Sequence, residues 1–159
     1  MSIEPQADQW SAAETPVYLC FDAEDLYAAR RVAGYPLTNA DLDHYVGREN
    51  VPLESEAAEI IHAQLNARIE ACRVFICLIG PLTAENPWVL WEIEMARALP
   101  RRPGFVGALL EDRHERPAAL RDAGAVWVPF NRDHLERAVR WACTSEARKD
   151  DFEFRDMAW

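Results

Sequence analysis

The sequence lacks the features that mark several common classes of protein. It has no run of about 18 apolar residues, so we expect no membrane span. Residues 1–15 have neither a basic start nor an apolar stretch, so we expect a flexible lead-in rather than a secretory signal. A cytoplasmic protein with no membrane partner is the resulting expectation.

Patterns that bind phosphate or metal are also missing. Neither G-x-G-x-x-G nor a Walker loop occurs, which argues against dinucleotide binding by the usual Rossmann route. The cysteines follow no zinc spacing and no paired histidines support them, so no metal site is predicted. Without a secretory signal, disulfides are not expected either. We interpret the cysteines as small buried side chains: Cys20, Cys72, Cys77 and Cys143.

Basic residues are outnumbered by acidic ones, 17 to 27, which gives a net charge of −10. The excess lies in residues 1–60, which carry twelve acidic and three basic side chains. An acidic protein repels nucleic-acid backbones, so no DNA or RNA partner is expected. The length of 159 residues, half of them hydrophobic, suits one domain with one buried core.

Apolar runs alternate with helical patterns along the chain. The clearest strand is the apolar run from Val74 to Ile79, which ends at Gly80 and suits a central parallel strand buried on both faces. Asn86 and Pro87 then fit the N-cap and the first position of a helix. The pattern predicts strands at residues 16–21, 42–46, 74–79, 105–110 and 125–129. It predicts an acidic turn at residues 22–25 followed by a helix to residue 33. Further helices are predicted at residues 55–72 (with Ser55 as the cap), 86–99, 116–122 and 132–147.

This alternation predicts an α/β fold in which a five-stranded parallel sheet carries helices on both faces. The domain is expected to span residues 16–147, followed by a polar tail at 148–159 that docks back or pairs with another subunit. In such sheets the ligand crevice lies beyond the carboxyl ends of the strands. Candidate site residues should therefore come from the loops that follow the strands.

Three segments carry a resemblance to a known family. Residues 17–25 read VYLCFDAED, similar to the family opening V-F-I-S-F-D-x-x-D. Residues 74–96 read VFICLIGPLTAENPWVLWEIEMA, where the family has an apolar strand, Gly, a Ser/Thr-bearing loop and W-V-x-x-E-I-x-x-A. Residues 104–112 read GFVGALLED, similar to I-I-G-V-x-L. From residue 16 to about 145 the chain resembles the TIR-like branch of the Toll/interleukin-receptor superfamily, in particular the stand-alone bacterial proteins of Thoeris anti-phage defence.

The resemblance implies a flavodoxin-like three-layer TIR-type fold, and the sequence departs from the family pattern at two places. Cys20 stands where the family opening has Ser. The second strand of the family often ends in a Phe/Tyr-Asp pair, whereas this region reads His44-Tyr45-Val46 without the Asp. The substrate contacts that the family assigns to the loop after its second strand are therefore less firmly implied for this chain than those of the other loops.

Glu92 is the catalytic candidate. In catalytic members the matching Glu is required to cleave NAD⁺ at the nicotinamide–ribose bond, which makes NAD⁺ a substrate and requires no cofactor. The bond breaks through an oxocarbenium-like state, and because nicotinamide leaves as a neutral base, one ionised carboxylate can suffice. Pattern alone favours a solvent-facing Glu92, and the resemblance reverses that preference. Glu94, two residues further along the same helix, serves as the internal comparison.

Other candidates bind substrate in this interpretation, and each has an ordinary structural alternative. Trp88 lies four residues before Glu92 on the same helix face, where it would wall the pocket or fill the core. Asp22 would contact the nucleotide or cap a helix, and Thr83 would bind a ribose or phosphate or bond its own backbone. The remaining candidates for substrate contact are Phe21, His44 and Tyr45.

Three functions remain open. The first is a TIR-like NAD⁺-processing enzyme that responds to a phage-derived trigger. It would make an ADP-ribose-derived, cyclic or linear, signalling nucleotide for a separate effector protein, since 159 residues are expected to leave no room for a fused output domain. The second is a non-catalytic module that self-associates through homotypic contacts. The acidic N-terminal half and the basic patches in the rest of the chain would favour head-to-tail association. The third is a nucleoside deoxyribosyltransferase-like enzyme that uses a Glu nucleophile.

Overall fold

The computed structural model describes residues 15–35, 51–143 and 152–153. Its centre is a parallel sheet whose strands lie side by side in chain order. Adjacent residues of neighbouring strands are in register, for example Tyr18 with Phe75. Parallel neighbours need a crossover connection, and at least one described helix lies between each pair of consecutive strands in the chain. The four main strands are β1 (Val17–Cys20), β2 (Val74–Ile79), β3 (Gly104–Leu109) and β4 (Val126–Pro129).

The prediction of five strands between residues 16 and 129 needs correction. Within the described part of the chain, four strands of four to six residues form the sheet. The strand predicted at 42–46 lies outside the described residues. A two-residue strand from the C-terminal tail, β5 (Phe152–Glu153), pairs in parallel with β4. The sequence analysis did not predict β5, because the tail contains no apolar run. The strand pairs through backbone groups at the edge of β4, and such pairing does not require one.

Five helices and two short 3-10 turns surround the sheet in the described ranges. The turns are Ala23–Asp25 and Thr83–Glu85. The predicted Asn86 cap is confirmed, and the predicted cap by Ser55 is wrong, because the Ser55 hydroxyl donates to the Pro52 carbonyl at 2.7 Å instead. The helices are α1 (Leu26–Ala33), α2 (Ala58–Ala71), α3 (Pro87–Arg97), α4 (Ala118–Asp122) and α5 (Arg132–Ala142).

The side chains of each strand alternate between the two faces of the sheet, so two buried layers form. One layer joins Leu19 and Phe21 to α1 and α5, and we call it the α1/α5 face. The other joins Tyr18 and Cys20 to α3, with α4 and the end of α2, and we call it the α3 face. Helices therefore cover both faces, as the alternation of elements predicts. No helix among the described residues is long and apolar enough to cross a membrane.

Candidate active site

Glu92 is buried on the α3 face. The exposed fraction of Glu92 is 0%. A carboxylate is rarely buried so completely unless hydrogen bonds satisfy its oxygens. The Tyr18 hydroxyl donates a short hydrogen bond to Oε2 of Glu92. The thiol of Cys20 lies 3.5 Å from Oε1. Both carboxylate oxygens are therefore in contact with side chains of β1.

The local sequence explains this arrangement. In β1, residues two apart point to the same face, so Tyr18 and Cys20 lie side by side beneath α3. In α3, Val89, Glu92, Ile93 and Ala96 follow the three- and four-residue steps of one buried helix face. Glu92 is the polar member of that face. Sequence reasoning missed Tyr18 and Cys20 as its partners, although the period-two pattern of β1 was the signal that could have found them.

Glu94 shows the opposite environment on the same helix. Its side chain is 61% exposed and forms an ion pair with Arg97 at 3.1 Å. Such an exposed pair one helix turn apart contributes little to stability. The interpretation of Glu92 as a solvent-facing carboxylate is therefore wrong, whereas Glu94 fits that description.

Trp88 packs on a different surface of α3. Its indole Nε1 donates to the Val51 carbonyl at 2.8 Å, and its ring meets His62 and Trp91 edge-on, with centroids 5.2 and 6.0 Å away. The residue is buried in a small cluster with Ala58 and Leu65 of α2. In this structure Trp88 fixes segment 51–53 and α2 against α3, which is the core-filling alternative.

The Asp22 side chain caps the first 3-10 turn and connects it to Asn86. One carboxylate oxygen accepts the backbone N–H of Glu24 at 2.9 Å, as expected of a cap at the first 3-10 turn. The other accepts from the side-chain amide of Asn86 at 2.7 Å. Asn86 in turn accepts the N–H groups of Trp88 and Val89 through its Oδ1, at 2.8 and 3.3 Å. The loop after β1 is therefore tied to the start of the helix that carries Glu92.

Phe21 and Thr83 are both fully buried and have structural contacts. Phe21 lies on the α1/α5 face, on the opposite side of the sheet from Glu92. The Thr83 hydroxyl accepts the Gly80 N–H at 2.8 Å and donates to the Leu78 carbonyl at 3.1 Å. Its donor and one acceptor position are therefore used to shape the loop after β2, in agreement with its structural alternative.

A second buried carboxylate, which sequence reasoning did not single out, lies against this loop. Asp25 is 2% exposed, and its carboxyl group occupies the space that a Cβ on Gly80 would need. Among the described residues, no donor reaches Asp25 Oδ2. Burial, with the carboxylates of Asp22 and Glu24 nearby, raises the pKa of Asp25 to about 6.

Two predicted site residues, His44 and Tyr45, lie outside the described residues. The described ranges bring Glu92 together with Tyr18 and Cys20, and Asp22 together with Asn86. They place Phe21 and Trp88 in other packing clusters. Within those same ranges, no three His, Cys, Asp or Glu side chains are grouped so as to hold a metal ion.

The parallel sheet with helices on both faces places the protein in the α/β class, and the helix after β2 carries the buried Glu92. The family model described as "Thoeris protein ThsB, TIR-like domain" matches residues 18–114. This match covers more than half of the chain, and the protein belongs to that family. The matched span includes all of β1 except Val17, the loop after β2, α3 and β3. No curated protein matches the sequence.

Proposed function

We propose that this protein is an NAD⁺-processing enzyme of anti-phage defence that cleaves the bond between nicotinamide and ribose. The observation that carries the proposal is the buried Glu92 carboxylate, held by Tyr18 on the helix that follows β2. Membership of the ThsB TIR-like family supports it, because the match includes both residues. The site would act in the cytoplasm on NAD⁺ as substrate, with no cofactor.

Glu92 would act by electrostatic stabilisation. Cleavage develops positive charge on the ribose ring, as in glycoside hydrolysis. An ionised carboxylate held at a fixed position stabilises that charge without reorganising during the reaction. Nicotinamide needs no proton to leave, so the reaction does not require a second acid. Asp25, which lies against Gly80 with a raised pKa, is not assigned a step.

Access to Glu92 requires movement. Since Glu92 has no exposed surface in this structure, NAD⁺ reaches the carboxylate only after the covering atoms are displaced. This requirement is consistent with an enzyme that is inactive until a phage-derived trigger or self-association opens the site. We therefore propose that the structure corresponds to the closed state.

The proposal is tested by nicotinamide release. Purified protein is incubated with NAD⁺, with and without lysate of phage-infected cells, and nicotinamide is followed by chromatography. We expect release from the wild type, a loss of at least a hundredfold in Glu92→Gln, and unchanged release in Glu94→Gln. Glu94→Gln is a matched control, because it makes the same chemical change on the exposed side of α3. Release that survives Glu92→Gln contradicts the assignment of the site.

The product would be an ADP-ribose-derived nucleotide that a separate effector protein binds. Capture of the ribosyl cation by water gives ADP-ribose, whereas capture by a nucleophile within the same molecule gives a cyclic isomer. Mass spectrometry separates the two, because the cyclic product is lighter by one water. A mixture dominated by either mass decides which class of signal the enzyme makes.

A non-catalytic interaction module is the second candidate. The full burial of Glu92 and its contacts with β1 favour it, because a carboxylate that only stabilised packing would have this environment. This candidate predicts self-association by light scattering and no nicotinamide release under any condition. It also predicts that Glu92→Gln changes stability without changing signalling.

A further inference from the structure

The carboxylate of Glu92 is contacted by two side chains of β1, Tyr18 and Cys20. Both side chains point to the α3 face. A phenylalanine at residue 18 would fill the same volume without offering a hydrogen bond.

We propose that Tyr18 is a positioning residue for the reaction of Glu92. The inference rests on the proposed function. Tyr18 would hold Oε2 of the carboxylate at a fixed place, and Oε1 would turn to the ribose when NAD⁺ enters. Cys20 is the weaker partner, since a thiol is a poor donor and its contact with Oε1 is 3.5 Å long. When NAD⁺ enters, the ribose would therefore replace Cys20 at Oε1, while Tyr18 would remain bonded to Oε2.

The surroundings of Tyr18 make it a rigid donor. The residue is 3% exposed, and its ring stacks on Phe75 with centroids 5.3 Å apart and planes at 15°. Tyr18 and Phe75 are also register partners in neighbouring strands. A ring fixed by stacking and by the sheet presents its hydroxyl in one direction, which is the support that a preorganised carboxylate requires.

The burial of Glu92 explains why this donor matters. A carboxylate without water is costly unless donors satisfy its oxygens. A hydrogen bond to a charged group stabilises more than one between neutral groups. Removing the hydroxyl would take away one donor that holds Oε2, so the position of the carboxylate would be less well defined. The transition state, in which the position of the negative charge counts most, would then be affected more than substrate binding.

The test uses Tyr18→Phe, which keeps the ring and removes only the hydroxyl. Steady-state nicotinamide release is measured with the full-length protein in the activated condition that gives wild-type turnover. We expect kcat to fall about ten- to hundredfold, with KM unchanged within about threefold. Tyr27→Phe, which makes the same change at an exposed tyrosine of α1, should leave both constants unchanged.

A double mutant separates positioning from general stability. In a Glu92→Gln background, Tyr18→Phe should cause no further loss, because the hydroxyl acts through the carboxylate. Turnover by Tyr18→Phe at or above the wild-type rate, or a change in KM alone, overturns the inference while the proposed function stands. If the wild type itself releases no nicotinamide under any condition, the proposed function is wrong. The proposed role of Tyr18 is then wrong as well, because it rests on that function. Circular dichroism and Tm confirm that each variant is folded, and an unfolded Tyr18→Phe is replaced in the series by Tyr18→Met.

Discussion

At the scale of single residues, Asp25 packs directly against Gly80. Gly80 follows β2, and the Asp25 carboxyl group lies where a side chain at residue 80 would begin. The contact joins the loop after β1 to the loop after β2 at the carboxyl edge of the sheet. The absence of a side chain at Gly80, rather than an unusual backbone conformation, is what the packing requires.

We expect Gly80→Ala to destabilise the protein by about 1–3 kcal/mol, because the new methyl group must displace the buried carboxylate. Chemical denaturation measures the change. Gly34→Ala is the control: it also adds one methyl group, but the nearest atoms to that methyl are 3.5 Å away, so stability should change little. Equal effects of the two substitutions would contradict this account of Gly80.

Asp25 should make stability depend on pH. Its pKa is about 6 in the folded protein against an ordinary value of 3.8, so between these values the folded state binds more protons than the unfolded state. The free energy of unfolding therefore falls as pH rises from about 4 to about 6, and the penalty is fully present above pH 6. The size expected from the shift is about 1–3 kcal/mol.

Asp25→Asn should remove that part of the pH dependence, because the amide does not ionise. Urea denaturation of wild type and variant at several pH values between 4 and 7 measures the difference. We expect the variant to gain stability relative to the wild type as pH rises. A constant difference across the range would show that the pKa of Asp25 is the same in the folded and unfolded states.

At the scale of elements, α3 depends on its first turn. Asn86 accepts two backbone N–H groups of the helix and donates to Asp22, so one side chain both caps α3 and ties it to the loop after β1. Glu92 lies one and a half turns further along the same helix. The position of the candidate catalytic carboxylate therefore depends on a nearby cap that is itself bonded to Asp22, a residue remote in sequence.

Asn86→Ala should lower the free energy of unfolding by about 1–2 kcal/mol and reduce nicotinamide release severalfold, because the start of α3 loses its link to Asp22. Asn131→Ala provides a close control. Asn131 caps α5 with the same two backbone contacts, at 2.9 and 3.2 Å, on the opposite face of the sheet. We expect a similar loss of stability there and normal turnover, and equal losses of turnover would contradict the role of the Asn86 link.

At the scale of the whole molecule, the closed site and the proposed self-association lead to one expectation. Glu92 is fully covered in the single chain, so under the proposed function association or a trigger would favour an open state before NAD⁺ reacts. Nicotinamide release per molecule should therefore rise with protein concentration. Activity assays and analytical ultracentrifugation over the same concentrations measure both quantities. Full activity in a dilute monomer would contradict this coupling.

The strand-and-helix pattern accounts for much of the fold. The apolar run at 74–79 coincides with β2, and Asn86-Pro87 coincides with the start of α3, because burial on both faces and helix capping are local properties of the sequence. The cap predicted at Ser55 was wrong, since a hydroxyl can bond several nearby backbone groups and its choice depends on the turn around it. The pairing of β5 with β4 could not be read from the tail, because backbone pairing leaves little trace in side chains.

The sequence by itself determined the α/β class, because periodicity is a property of the linear chain, and it carried the motifs of the family that the family model confirms. The family resemblance, rather than periodicity, made Glu92 the catalytic candidate. Tertiary structure alone decided what surrounds that carboxylate. Tyr18 and Cys20 are more than seventy residues from Glu92 in sequence, and only the packing of α3 on β1 brings them into contact. The same packing buries Glu92 and leaves Glu94 exposed. Asp22 and Thr83 form structural hydrogen bonds, because the contacts of a polar side chain depend on which neighbours the fold brings within reach.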